Sequence, residues 1–190
     1  MKTITIEWLK SKDACHDGLD WFAKQNKEFE LVELIDLLIK ENQLEWANWL
    51  IVRVMDYSQY VSYAVYAAEQ VIDIFEKKYP DDKHPREAIE AAKKCIKNPS
   101  DENKKKAYSA ARAAYGASSA AYSAARVADW AAYNAARAAY WVACAASAAD
   151  SAACAASAAD SAACAAKATA NAKILKKILK YGIELLREGK

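Results

Sequence analysis

Tyr108-Ser-Ala-Ala-Arg112-Ala-Ala-Tyr115 begins a tract, Ala107 to Ala170, in which more than half of the residues are alanine. The larger residues interrupt it by rule. They fall at Tyr108, Arg112, Tyr115, Ser119, Tyr122, Arg126, Tyr133, Arg137, Tyr140, Cys144, Ser147, Ser151 and Cys154, with Asp129 or Trp130 between Arg126 and Tyr133. Steps of four and three alternate, which is a heptad rhythm and one stripe of a helix. Alanine has the best helix propensity available. It buries little area, but its small side chain lets helix axes approach toward the lower end of the ~8–10 Å range. An alanine-walled helix therefore reads as a stiff central rod with neighbours on most sides.

Length limits how such a rod is used. A helix over 101–167 would extend roughly 100 Å at 1.5 Å per residue. A compact domain of this size is only about 40–45 Å across. The tract must protrude or break, and two or three antiparallel helices of ~20–30 residues are the usual packed solution. Gly116, followed by Ala117-Ser118-Ser119, is the weakest point; Ser147 and Ser157 are others.

Working outward, the rest is also helical. The chain holds four Gly and three Pro in 190 residues, with 54% hydrophobic residues. That favours long helices around a full core and excludes disorder. Ile6 to Gln25 reads as one or two short helices, the second capped by Ser11 or Asp13, with Leu19, Trp21 and Phe22 on the buried side. Leu31, Leu34, Ile35, Leu38 and Ile39 mark a helix over 30–41. Another spans Leu44 to Met55, with Trp46, Trp49, Leu50 and Val54 apolar. Ser58 is a candidate cap for a longer helix reaching Lys77 or Lys78. Tyr57, Tyr60, Tyr63 and Tyr66 step by three on it, a ridge suited to filling alanine grooves with hydroxyls toward the surface. Pro80 to His84 is a loop, Pro85 opens a helix ending by Asn98-Pro99, and Ser100 or Asp101 caps the alanine region. Lys173 to Arg187 is amphipathic, with Ile174, Leu175, Ile178, Leu179, Ile183 and Leu186 on one face. The expected fold is all-α, a multi-helix bundle with long alanine-rich central helices. Residues 1–190 form a single domain, with mixed short helices over 1–98 and the long helices over 101–190.

Charge is divided unevenly. Residues 1–100 carry 14 Lys and Arg against 18 Asp and Glu; residues 101–190 carry 13 against 7, so halves of −4 and +6 make the net +2. A basic second half either complements helix ends or attracts an acidic partner or phosphate ligand. The five cysteines, Cys15, Cys95, Cys144, Cys154 and Cys164, are odd in number and follow no signal peptide. With no long apolar span, a reduced cytoplasmic protein off the membrane is expected. Cys144 to Ala153 recurs unchanged as Cys154 to Ala163. On a straight helix that ten-residue period turns each copy by ~80°, so these cysteines would not align. Two histidines and no Cys-x-x-Cys argue against zinc.

The chemistry-bearing pattern is Tyr-x-Ala-Ala-Arg, at Tyr108–Arg112, Tyr122–Arg126 and Tyr133–Arg137, extended by Tyr115 and Tyr140. Tyr and Arg at i and i+4 share a face. Arginine forks bind phosphate or carboxylate bidentately, and tyrosine rings stack on bases or guanidinium planes. The row is a candidate ligand- or partner-binding face. Equally, it could pair with Asp129, Asp150, Asp160 or the acidic first half as a structural network. No catalytic motif or Gly-rich phosphate loop is present. Cys15-His16-Asp17 are consecutive, diverge on a helix, and read as a helix end with a buried cysteine and an exposed histidine. No enzyme, metal or cofactor is expected.

Ala14-Cys15-His16-Asp17-Gly18-Leu19-Asp20-Trp21-Phe22, then Asp82 to Ala92, then the interrupted alanine tract resemble, in that order, the Imm-five-like immunity proteins of bacteria and phages. The likeness covers nearly the whole chain. It implies an all-helical, non-enzymatic protein that neutralises a toxin or defence effector. The second reading is a phage counter-defence sponge holding an anionic signalling nucleotide, such as a cyclic nucleotide, in a Tyr/Arg cleft. The third is a homo-oligomer joined through alanine faces. Nucleic-acid polymer is not an expected partner.

Overall fold

The computed structural model describes residues 2–124, 130–147, 152–165 and 171–189, without the side chains of 121–124, 130–132, 152 and 171. Among these residues the chain is all-α, with eleven helices and one two-residue ladder. The ladder pairs β1 (Thr3–Ile4) antiparallel with β2 (Phe29–Glu30). It ties α1 (Ile6–Ser11) and α2 (His16–Lys24) to the start of α3 (Leu31–Lys40). There follow α4 (Leu44–Val52), α5 (Tyr57–Glu69), α6 (Ile72–Lys78) and α7 (His84–Lys97). The alanine tract supplies α8 (Asp101–Ala124), α9 (Trp130–Ser147) and α10 (Ala152–Ala165), and α11 (Asn171–Glu188) closes the bundle.

The tract folds back on itself, but not at Gly116. Helix α8 runs through that glycine without interruption, because one glycine costs a helix only ~1 kcal/mol relative to alanine and the flanking alanines offset it. Ser147 does end α9, whereas Ser157 lies inside α10. Two of the three helices are shorter than the expected 20 residues. The stripe of large side chains is divided accordingly: Tyr108 to Tyr115 on α8, Tyr133 to Cys144 on α9, Cys154 on α10. Tyr115 meets Tyr140, and Cys144 faces Cys154, so successive helices run antiparallel. The repeat therefore brings two of its cysteines together across a turn, which a straight helix would not do.

Helix α9 is the rod with neighbours all round. Ala135, Ala136, Ala138, Ala139, Ala143, Ala145 and Ala146 are fully buried, and α5, α6, α7, α8 and α10 all pack on α9. Larger side chains at those positions would push five helices outward at once. The bulky core lies on the other elements, with Tyr63, Phe29, Phe75, Leu34, Ile35 and Ile51 fully buried. The tyrosine ridge fills alanine grooves, yet two hydroxyls turn inward. Tyr57 Oη donates to the Ala146 carbonyl of α9 at 2.6 Å, and Tyr63 Oη to Asn48 Oδ1 of α4 at 2.8 Å. Burial makes these bonds obligatory, since an unpaired hydroxyl there would carry its full desolvation cost.

Three local expectations are corrected. The cap of α5 is Asp56, not Ser58. Its carboxylate accepts from Gln59 N at 2.8 Å while Gln59 Oε1 accepts from Asp56 N at 3.0 Å, a reciprocal box that fixes the start one turn earlier. The helix does not reach Lys78 unbroken. Gln70 Nε2 takes the Tyr66 carbonyl at 3.0 Å, competing with the backbone bond that would continue α5, and α6 starts afresh at Ile72. Neither Ser11 nor Asp13 caps α2. Asp13 has a positive φ of 57°, and Cys15 holds the N-cap position without a side-chain bond.

Two glycines test the packing. A methyl at Gly116 would meet nothing within 4 Å, whereas one at Gly182 would lie 2.6 Å from Ile51 Cδ1 and 2.8 Å from Tyr63 Cε2. Tyr63 cannot yield without breaking its buried bond to Asn48. Gly116→Ala is therefore expected to stabilise by ~0.5–1 kcal/mol. Gly182→Ala is expected to destabilise by ~1–3 kcal/mol despite its better propensity. Urea denaturation of both variants measures this, and a stabilised Gly182→Ala would show that α11 does not approach α4 and α5 so closely.

Candidate functional site

The hairpin of α8 and α9 places the Tyr/Arg row. Tyr108, Arg112 and Tyr115 lie three and four apart on α8, and all three are exposed, the tyrosines at 57% and 58%. Tyr133, Arg137 and Tyr140 repeat the spacing on α9, each half-buried. Where the helices face each other, Tyr115, Ser118, Ser119, Tyr133, Arg137, Tyr140 and Trp141 line a pocket of about 470 Å³. The Tyr115 and Tyr140 rings sit 5.4 Å apart at 57°, and Tyr140 tilts against Trp141 at 4.7 Å. Ser118 Oγ donates to the Tyr115 carbonyl at 2.8 Å, which keeps that wall in place. Tyr122 and Arg126 fall outside the described side chains.

The expected alternative, an ion-pair network, does not form among the described residues. Asp160 bonds Asn48 rather than an arginine, and Asp129 and Asp150 lie outside the described residues. The Arg137 guanidinium is 5.8 Å from the Tyr133 ring centroid, a cation–π distance, and no described carboxylate pairs with it or with Arg112. Trp141 Nε1 is buried with no hydrogen-bond partner among these residues. The pocket thus offers a fork donor, an indole donor and aromatic faces. A hydrogen bond with Cys144, and then burial, push the Tyr140 phenol up to about 12, so it remains a neutral donor.

A second cavity, of about 380 Å³, was not foreseen as a site. It lies between α2, α4 and α10, with walls from Trp21, Phe22, Trp46 and Trp49 and carboxylates from Asp13, Glu45 and Asp160. The sequence reading placed these aromatics in the core. The signal that could have marked them is the acidic Glu45 beside Trp46 and the buried Asn48 within the same turn. Asn48 Nδ2 donates to Asp160 Oδ1 at 2.7 Å and to the Ala156 carbonyl at 3.1 Å, while Tyr63 secures its oxygen from behind. Cys15, expected to be buried, is exposed and lines the same cavity, because it starts α2 rather than lying inside it.

No family model, curated protein or solved structure matches the chain. The fold and the two cavities stand on their own geometry: an all-helical bundle, with no described helix long and apolar enough to cross a membrane.

Asp160 gives this region a pH signature. Its side chain is accessible from the cavity but flanked by protein, and desolvation, with Glu45 adding to it, raises the carboxyl from 3.8 to about 6 against the opposing Asn48 bond. A carboxyl raised on folding favours the folded state fully below its unfolded value near 4. That contribution is lost as pH rises through about 6. The melting temperature of the wild type relative to Asp160→Asn is expected to fall between pH 4 and 7. A difference that stays flat, or grows with pH, would show that Asp160 is not held in this way.

Proposed function

We propose that the chain is a non-enzymatic binding protein that neutralises a toxin or defence effector protein by covering it with the Tyr/Arg face of α8 and α9. The observation that carries this is the exposure of Tyr108 and Tyr115 around Arg112. They are the exposed large hydrophobic side chains among the described residues, and they lead directly into the Arg137 pocket. Tyrosine and arginine dominate the binding energy of protein interfaces. Tyrosine brings a large rigid ring with a polar tip, and arginine a planar fork. An acidic anchor of the partner would enter beside Arg137, with the three exposed residues of α8 closing over the surface around it. Resemblance to the Imm-five-like immunity proteins supports the same reading.

The second reading is a small anionic ligand with a planar ring, such as a cyclic nucleotide. It is favoured by the pocket itself, whose volume falls in the ~300–1,000 Å³ range of small-molecule sites and whose indole donor has no described partner. It ranks second because Arg112 does not line the pocket and Tyr108 stands outside it. A larger partner uses both.

Growth rescue decides between these. The chain is co-expressed in a bacterial host with a panel of bacterial and phage toxins, and at least one is expected to be neutralised. With the complex in hand, Tyr108→Ala, Arg112→Ala and Arg137→Ala are each expected to weaken it by ~2 kcal/mol or more, roughly 30-fold, with unchanged melting temperatures. Rescue that survives all three substitutions together would remove this face from the account. Calorimetric heat with a cyclic nucleotide that needs Arg137 but neither Arg112 nor Tyr108 would select the second reading instead.

A further inference from the structure

We propose that the tryptophan-walled cavity between α2, α4 and α10 binds a small organic cation, an ammonium group carried on an apolar or aromatic body. It shares no lining residue with the Tyr/Arg pocket and stands or falls independently of the function proposed for that face.

Charge comes first. Asp13, Glu45 and Asp160 line the cavity, and no described lysine or arginine does. The nearest arginine is already engaged. Arg53 stacks on the Trp49 ring at 3.9 Å, donates to the Trp49 carbonyl at 2.9 Å, and feels the charge of Asp13. Glu45 and Asp160 are left facing the same space with no described cation between them. A buried carboxylate without a counter-charge is costly, and two that sense each other are costlier. An anionic ligand would add to that repulsion and a neutral one would leave it in place. A cation offsets both charges at once, and the raised Asp160 carboxyl would be drawn back down by it.

The walls select the kind of cation. Trp21 and Trp46 lie 6.1 Å apart at 58°, so their faces form two sides of a corner rather than a closed stack. Trp21 is held there by its Nε1 bond to Glu41 at 3.0 Å. Indole faces attract an ammonium within about 6 Å by ~0.5–2 kcal/mol, and more weakly hydrated, alkylated ammonium groups suit them well. Leu9, Leu34, Leu38 and Leu50 complete the lining and provide room for an apolar body. A hydrated metal ion would gain nothing from such walls, because hard cations seek several oxygen ligands. The floor is rigid: Tyr63, Asn48 and Asp160 form a hydrogen-bonded chain from the core outward, so one carboxylate oxygen is fixed before any ligand arrives.

The test titrates the full chain with benzyltrimethylammonium, following tryptophan fluorescence and heat. Benzyl alcohol and benzoate serve as neutral and anionic probes of similar body. Saturable one-to-one binding of the ammonium is expected, with both controls at least about tenfold weaker. Glu45→Gln and Asp160→Asn are each expected to weaken it by about tenfold, as is Trp46→Leu. Asp160→Asn keeps an oxygen for Asn48, and Glu45 is exposed, so these two variants preserve the fold, which their melting curves verify. The proposal is overturned if the ammonium fails to saturate. It is equally overturned if benzyl alcohol or benzoate binds as tightly, or if the two neutralised variants bind it like the wild type.

Discussion

Everything in this molecule depends on how closely helices can approach α9. Seven of its alanines are fully buried, and five other helices pack on it. Only a side chain of one carbon lets that many neighbours share one rod, and the cost is small individual burial energy. The energy is made up elsewhere, by Phe29, Tyr63, Phe75 and the Leu/Ile faces of α3, α4 and α11. The alanine helix supplies position rather than hydrophobic mass. That division explains why hydroxyls of the tyrosine ridge turn inward: Tyr57 reaches the Ala146 carbonyl because nothing bulkier stands in the way.

The same geometry generates both cavities. Folding the tract into α8, α9 and α10 doubles the Tyr/Arg stripe back on itself and creates a concave meeting line where two copies of the pattern oppose. On the other side, α10 comes against α4 with small residues and one aspartate, and the tryptophans of α2 and α4 bridge the space that alanines cannot fill. Concave, partly aromatic sites between helices of a bundle are the usual consequence of such unequal packing.

Much of the helical content was legible in the sequence. Leu31, Leu34, Ile35 and Leu38 announce α3, Pro85 opens α7, and Ser100 Oγ caps α8 by accepting from Asn103 N at 3.3 Å. Local chemistry fixes these features, so local reading finds them. The misses share a different cause. Gly116 looked like a break because glycine is the poorest residue of that stretch, but a single weak residue inside alanine does not outweigh the packing of two long helices. Tyr115 and Tyr140 were both named as site residues, yet their contact depends on where the chain turns, which alanine does not encode. Asn48 and Asp160 are 112 positions apart, and nothing near either residue signals the other. The tryptophans were read as core because a single helix face cannot show that its opposite wall is acidic rather than apolar.

The central claim is that the alanine tract is folded back so that α8 and α9 face each other across the Tyr/Arg pocket. Nuclear Overhauser contacts between the rings of Tyr115 and Tyr140, in protein selectively labelled at tyrosine, test it directly. With ring centroids 5.4 Å apart, strong cross-peaks between the two rings are expected. A continuous helix would hold these residues about 38 Å apart, at 1.5 Å per residue, and show none. The absence of cross-peaks in a folded sample would contradict the account.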